Sequence, residues 1–502
     1  MKALLVNLFF VSMALPIYSQ YEINVKKFGA KGDGQTDDTR AIQSAINAAS
    51  PLKKTTVYFP KGVYKIGSYT ITPNYLENFC LLLHSNLSLE GDGEKSIIRI
   101  TGHIFDKQDT NANAHLLYGS QIQNVSFSNL AIDMNGANNL TPPKTIKNHS
   151  AIFTSRGNNF YIHDILIKNC SGTNMINIMS DGNGLVIENC KFVNGGNYVG
   201  SPKPNKNQYD FSFIYSEWDG TIVRNNVIKQ EDINIGLGNY TGGVEIHGDF
   251  SSVTGNFFKG CWPAIYITSS GIDTMKYITI ENNRLINCVT GISFWLVKPM
   301  KDIIIRHNEI RLAASRSPKL EVSAGIIIPN ANAKEYTKKL ANAAPVINLQ
   351  ITENIISADT MQNLSAGIIV HSVQQSNIAN NTISGVNYGG IVMGGSKWGS
   401  DSVTIKDNTF KDFRPNNSTN TVAAYILMTD TYSPNIPDAP GFQDIIIVKN
   451  SFFNNARKFE KAGKGKFFGI FIALPSKMLH NIRFTNNEFS APSEGIKIIK
   501  TD

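Results

Sequence analysis

From about residue 220 onward the polar and apolar positions of this chain fall into one short unit, apolar-x-x-Asn-x-apolar. It reads VRNNVI, VTGNFF, IENNRL, IRHNEI, ITENII, IANNTI, IKDNTF, IVKNSF and FTNNEF, centred on Asn226, Asn256, Asn283, Asn308, Asn354, Asn381, Asn408, Asn450 and Asn487. Several steps are 25 to 30 residues, and the longer ones contain a polar insertion. Each unit is followed by a second apolar run opened by a small residue: GGVEIHG, PAIYITS, TGISFWL, AGIIIPN, AGIIVHS, GGIVMGG or FGIFIAL. Alternating apolar positions over four to six residues, with no 3.6-residue period between them, read as strands joined by turns and exclude a barrel of alternating strands and helices. A chain that returns to the same phase every 25 or so residues stacks its strands in parallel at about 4.8 Å per coil. The prediction is an all-β fold, a single-stranded right-handed parallel β-helix, over residues 21–502.

The recurring Asn has a physical reason. At a bend between sheets its amide can donate to and accept from the Asn one coil away, and Asn tolerates the left-handed backbone that corners demand. Upstream, Leu130, Ile165 and Cys190 stand at the equivalent point, so the early coils should close with an apolar stack. Near the N-terminus, FGAKGDGQTDDTRAIQSAINAA carries a short amphipathic helix. Ala41, Ile42, Ala45 and Ile46 form its apolar stripe, and Asp37 or Asp38 is placed to cap it. This helix should cover the open end of the first coil, and TTVYFPKGVYKIG should supply the first strands.

Residues 1–20 read as an export signal, with Lys2 ahead of an apolar run from Ala3 to Ala14 and small Ser19 near the cut. No Cys follows that run, so no lipid attachment site is expected, and no later run reaches the roughly 18 apolar residues of a membrane helix. The expectation is a secreted or periplasmic protein with no membrane insertion. Of the full chain's formal charge of +8, about +7 remains without Lys2, scattered rather than clustered. Scattered positive charge favours an acidic partner but carries none of the blocks expected of a nucleic-acid binder. Cys80, Cys170, Cys190, Cys261 and Cys288 are odd in number and irregular in spacing, which argues against a disulfide framework. Cys170, Cys261 and Cys288 share one place in their repeats and should stack as small core residues.

VKKFGAKGDGQTDDTRAIQSAINAA followed by VYFPKGVYKI resembles the N-terminal segment of the pectate-lyase-like superfamily of β-helices, which includes polygalacturonases, several polysaccharide lyases and phage tailspikes. The resemblance is close over about 45 residues and continues only through the repeat. It implies the fold and a carbohydrate substrate, and leaves the reaction open. The polygalacturonase pattern of Asn-Thr-Asp, Gly-Asp-Asp, Gly-His-Gly and Arg-Ile-Lys is absent, as is the Arg-x-Pro-x-x-Arg of classical pectate lyases; IHGD at 246–249 is the nearest fragment.

Alternation turns Glu245 and His247 outward in GGVEIHGD, Tyr266 and Thr268 in PAIYITS, and Ser293 and Trp295 in TGISFWLVKP, with Lys298 just beyond. On this count His247 and Tyr266 are neighbours on adjacent coils. Asn177, Asp210, Ser212, Glu217 and Trp218 gather on the same face, and His149 and Arg156 flank AIFTS before them. Elimination across a uronic acid requires neutralisation of the carboxylate, a base for the C5 proton and an acid for the leaving oxygen. His247 suits the base, Tyr266 the acid, and Glu245 an orienting or cation-holding role. Lys298 or Arg156 would pair with the carboxylate, Trp295 would stack on a sugar, and Asn177, Asp210, Glu217 and Trp218 would bind substrate. The same residues also fit an ordinary solvated strand face. No Asp cluster has calcium-site spacing, so a divalent cation such as calcium is left open, and no other cofactor is implied.

Three functions follow. The first is a lyase acting on an acidic polysaccharide, pectin-type or a glycosaminoglycan such as chondroitin sulfate or hyaluronan. The second is a glycoside hydrolase with paired carboxylates from Asp210, Glu217, Asp219 and Glu245. The third is a non-catalytic carbohydrate-binding β-helix. The sequence does not set the oligomeric state.

Overall fold

The computed structural model describes residues 21–70, 77–104, 113–139, 149–170, 172–195, 212–231, 241–269, 274–295, 298–313, 322–328, 344–358, 364–394, 398–413, 422–429, 441–453, 467–474, 476–490 and 494–500. The export signal read at residues 1–20 and the candidate Asp210 lie outside them. The chain winds as a right-handed parallel β-helix. Among the described residues the strands form one 28-stranded and one 15-stranded sheet, with every pairing between named strands parallel. The larger sheet bends into two faces, because strands in alternate positions pair with one another along the axis. Face 1 carries 212–216, 242–246, 265–268 and 292–295; face 2 carries 222–224, 252–254 and 275–281. In two early coils a single fifteen-residue strand, His149–His163 or Asn174–Glu188, runs across both faces. The 15-stranded sheet is face 3.

Inward side chains pile into one continuous core. On face 1, Ile176, Ile214, Val244, Ile265, Ile292, Ile326, Ile368, Ile391 and Ile426 follow one another in register, all fully buried. This repetition of one β-branched shape fills each coil with the same volume, so the stack closes without voids.

The corner between faces 2 and 3 carries the Asn ladder. The backbone N–H and the Nδ2 of Asn256 both donate to Oδ1 of Asn283 at 3.0 Å, and Asn283 repeats this to Asn308. The chain of amides runs unbroken from Asn226 to Asn487. Each Nδ2 also reaches back to a carbonyl of the preceding coil, as Asn354 does to Ile305 at 3.0 Å. Cys190 starts the ladder by donating its N–H to Asn226 Oδ1, and Leu130 and Ile165 below it are buried, as the apolar stack requires. The left-handed residue is not the ladder Asn but the one before it: Asn225, Gly255, Asn282, His307, Glu353, Asn380, Asp407, Lys449 and Asn486 all have positive φ. The corner turns at that exposed residue so that the next can point its amide inward.

The capping helix α1 spans Thr39–Ala48 and buries Ile42, Ala45 and Ile46 in the main core. Asp37 accepts from the Thr39 N–H at 3.0 Å, while Asp38 ties the preceding loop through the N–H groups of Lys31 and Gly32. His84 and Gln43 fasten the helix to the coil above. Among the described residues no helix is long and apolar enough to cross a membrane.

All five cysteines are free and buried. Only Cys261 and Cys288 touch. The Cys288 thiol and burial together hold the Cys261 thiol well above its ordinary range, and burial pushes those of Cys170 and Cys190 up to about 12. These are packing residues, though the expected three-membered stack is reduced to a pair. On the outside of face 2, Glu188 accepts from both Arg224 and Tyr161.

Two outcomes are expected. Asn354→Ala removes the acceptor of the Asn308 N–H, one of the acceptors of its Nδ2 and the side-chain donor to Ile305 O, and should cost about 2–4 kcal/mol, read as a lowered thermal and urea midpoint. Hydrogen bonding to Arg224 and then Tyr161 holds the Glu188 carboxyl below its ordinary range. Its stabilisation is therefore present at neutral pH and lost as pH falls through the folded-state value. The melting difference between wild type and Glu188→Gln should shrink to nothing in acid.

Candidate functional site

Outward positions on face 1 form rows along the axis, because parallel register places equivalent residues of successive coils side by side. One row runs Phe153, Asn177, Tyr215, Glu245, Tyr266, Ser293, Ile327, Ile369, Val392, Leu427 and Phe471. Its chemistry changes twice. Upstream it is aromatic, with Tyr118 and Phe153 stacked at 5.5 Å and His115 against Phe153 at 4.2 Å. Downstream it is aliphatic, where Ile327, Ile369, Val392, Leu427 and Phe471 belong to a second buried cluster outside the main core. Between the two lies a polar window five coils long, from Asn177 to Ser293.

The window holds a connected set of side chains. Glu245 Oε1 lies 3.0 Å from His247 Nε2, and Glu245 Oε2 accepts from Ser212 Oγ at 2.9 Å. The Tyr215 ring packs against the His247 ring at 4.7 Å, and its hydroxyl donates to Glu217 Oε1 at 2.7 Å. Glu217 is fixed from its other side by the Ser180 N–H. Glu245 and His247 are only 4% and 8% exposed, so the strand is not the solvated face that alternation alone describes. In such surroundings a carboxylate–imidazole contact is less screened than on an open surface. When the Nε2 proton is donated to Glu245, the basic lone pair is carried by Nδ1.

Two polar groups at the ends of the window are buried and lack a hydrogen-bond partner among the described residues: both amide atoms of Asn177, which is 1% exposed, and Ser293 Oγ. Buried amides without partners are rare and mark places where something else completes the bonding. Among the described residues, no three of His, Cys, Asp or Glu converge as a metal site.

Glu245, His247, Tyr266 and Trp295 lie on one flank, in two rows. Register pairs Tyr266 with Glu245, and Trp295 with Thr268. The expected His247–Tyr266 adjacency is therefore replaced by an offset of two residues along the strand. The aromatic ring that does meet His247 is Tyr215, which the sequence reading passed over although SFIYSE turns it outward by the same alternation. Trp218 is a correction. It is fully buried in the core, edge-on to Phe160 at 5.2 Å, and lies over Gly157 and Gly182, where an added Cβ would collide with it. The period of two that puts Glu217 outside requires Trp218 inside.

Arg156 is exposed, has φ +55°, and lines a 490 Å³ cavity with Gln121, Asn158, Asp181 and Asn183 at the corner of faces 1 and 2. Lys298 is exposed and its backbone is held by Ser269. They stand five coils apart, about 24 Å, so they cannot serve the same sugar. His149 is buried at the upstream end of face 1.

A winding of this kind, with this helix under its first coil, is a right-handed parallel β-helix of the pectate-lyase-like kind, and two family models match parts of the chain. Residues 22–108 match the family described as rhamnogalacturonase A/epimerase, pectate lyase-like, and residues 341–502 match the right-handed β-helix region. The chain is similar to mannuronan C5-epimerase AlgE2 of Azotobacter vinelandii, 36% identical over 118 residues, which is 23% of this chain and 11% of that protein. Alginate lyase 7 of the same organism is also 36% identical over 118 residues, 23% of this chain and 13% of the relative. The matched segment thus spans little more than a tenth of these relatives. Among solved structures, a tailspike protein mutant of E. coli bacteriophage HK620 in complex with pentasaccharide superposes with a TM-score of 0.67 at 14% identity, covering 95% of this chain and 78% of that one. At that identity the likeness speaks to the fold.

Trp218→Ala should lower stability by about 3–5 kcal/mol through the cavity it leaves, measured by urea unfolding. If the residue instead served only to bind sugar, the midpoint would not move.

Proposed function

We propose that this chain acts on a uronic-acid-containing polysaccharide laid along the outside of face 1, and cleaves it by β-elimination. The observation that carries the reading is the buried His247–Glu245 contact of 3.0 Å inside a window whose Asn177 amide is unsatisfied. His247, oriented by Glu245 in the manner of an imidazole fixed by a carboxylate, removes the C5 proton. The Asn177 amide donates to the uronate carboxylate, which stabilises charge as the proton leaves. A tyrosine, Tyr266 or Tyr215, returns a proton to the leaving glycosidic oxygen. Arg156 and Lys298, one at each end, pair with carboxylates of flanking sugars, and Trp295 stacks on a ring.

The relatives named above support the substrate class. Epimerisation at C5 and elimination share their first step, loss of the C5 proton, so a mannuronan epimerase and an alginate lyase both point to this chemistry. They extend the panel to alginate beside the pectin-type polymers and glycosaminoglycans. The apolar run near the N-terminus supports placing the protein outside the cytoplasm, where such polymers are found.

The purified protein should release products that absorb in the ultraviolet, as a conjugated unsaturated uronate does, from at least one acidic polymer. New reducing ends without that absorbance would favour a hydrolase using Glu217 and Glu245, and binding without any product would favour a lectin-like role. His247→Ala should reduce turnover by at least about a hundredfold with an unchanged melting temperature. Tyr266→Phe and Tyr215→Phe, assayed in parallel, assign the acid. Near-wild-type rates in all three variants would remove the assignment.

A further inference from the structure

The corner that follows face 1 repeats a second left-handed position, and its chemistry is interrupted at one place. Register aligns Asn86, Asn124, Asn159, Gly184, Gly220, Phe250, Tyr277, Asp302, Asn348, Gln375, Ser402, Asp444 and Asn481 on successive coils, and every one has positive φ. Nearly all are glycine or short polar residues, the types that adopt this backbone at least cost, and several link side chain to side chain along the axis. Phe250 and Tyr277 are not. A bulky aromatic residue with positive φ is an outlier, and such strain persists where something selects for the side chain.

Both rings stand outside the solenoid. Phe250 is 55% exposed and Tyr277 49%, and they stack at 5.0 Å with their planes 22° apart. The Lys276 ammonium sits 5.6 Å from the Phe250 centroid. The Lys276 backbone N–H is anchored at 3.0 Å by Asp249, so the lysine is held at this corner. Phe250 follows His247 by three residues, which joins the aromatic pair to the end of the polar window.

We propose that Phe250, Tyr277 and Lys276 form an accessory subsite that stacks one acidic sugar ring of the polymer, beyond the residues that carry out the cleavage. A pyranose presents an apolar face of C–H groups to an aromatic plane, and a uronate adds a carboxylate that a neighbouring ammonium attracts. This inference rests on the polysaccharide reading but not on the elimination chemistry. It gives the strained pair a purpose that packing does not, since neither ring reaches the core.

The test is retardation of the full-length protein in native gels containing alginate, polygalacturonate or chondroitin sulfate, with neutral dextran as control. The double variant F250N/Y277N installs the residue this corner holds on other coils, so its melting temperature should match or exceed that of the wild type. Its apparent dissociation constant for the bound acidic polymer should rise about fivefold to tenfold. K276Q should weaken retardation by the acidic polymer alone, and keeps the question open to measurement if the double variant folds poorly. S402N, at the same corner far from the window, should bind as wild type. Undiminished binding by F250N/Y277N and K276Q, or no retardation of the wild type by any acidic polymer, overturns the subsite. Retardation that depends on Phe250 and Tyr277 without unsaturated product would leave the subsite standing and remove the elimination.

Discussion

The whole outer surface of this molecule depends on parallel backbone pairing between coils, held in register by amides that bond along the axis. A slip of one residue in any coil would exchange inside for outside and scatter the outer rows. The Asn ladder opposes such slips, because a displaced coil would break three buried hydrogen bonds at each rung at once. Inward Ile and Val columns reinforce the same register through shape. Precise placement of Glu245 beside Tyr266, or of Tyr215 against His247, is thus determined at a corner on the far side of the coil.

The outer surface of face 1 is the converse case. Nothing in the winding dictates what side chains point away from the core, so this face is free to vary, and it does so in blocks. An aromatic block and an aliphatic block enclose the polar one. Glu245 and His247 are nonetheless nearly out of bulk water on the exterior of the solenoid, packed with Ser212 and Tyr215 within the window, a setting in which a carboxylate can orient an imidazole with little screening. Charge is arranged more sparsely: Arg156 and Lys298 stand at opposite ends of the window, five coils apart.

The winding was legible in the residues because a polar Asn recurring among apolar strands has one economical explanation, and the capping helix because its stripe of Ile and Ala admits only one buried side. The flank of Glu245, His247, Tyr266 and Trp295 followed from a period of two. Register between coils did not, since insertions of variable length separate the strands and the sequence carries no direct mark of which residues align. This is why Tyr266 was paired with His247 and Tyr215 was overlooked. Trp218 cannot share the outer face with the adjacent Glu217, since a period of two turns successive side chains to opposite sides. The burial of the window was also hidden, as it depends on what surrounds an outward face rather than on the strand itself.

Each rung of the ladder bonds only to the rungs above and below, and all from Asn256 to Asn450 make the same set of contacts. Adding or removing one whole coil downstream of Asn308 would rejoin like to like and leave the polar window from Asn177 to Ser293 untouched. Solenoid length can therefore drift in evolution by duplication of a single unit, and chains of very different length can keep one and the same pattern on the outside of face 1.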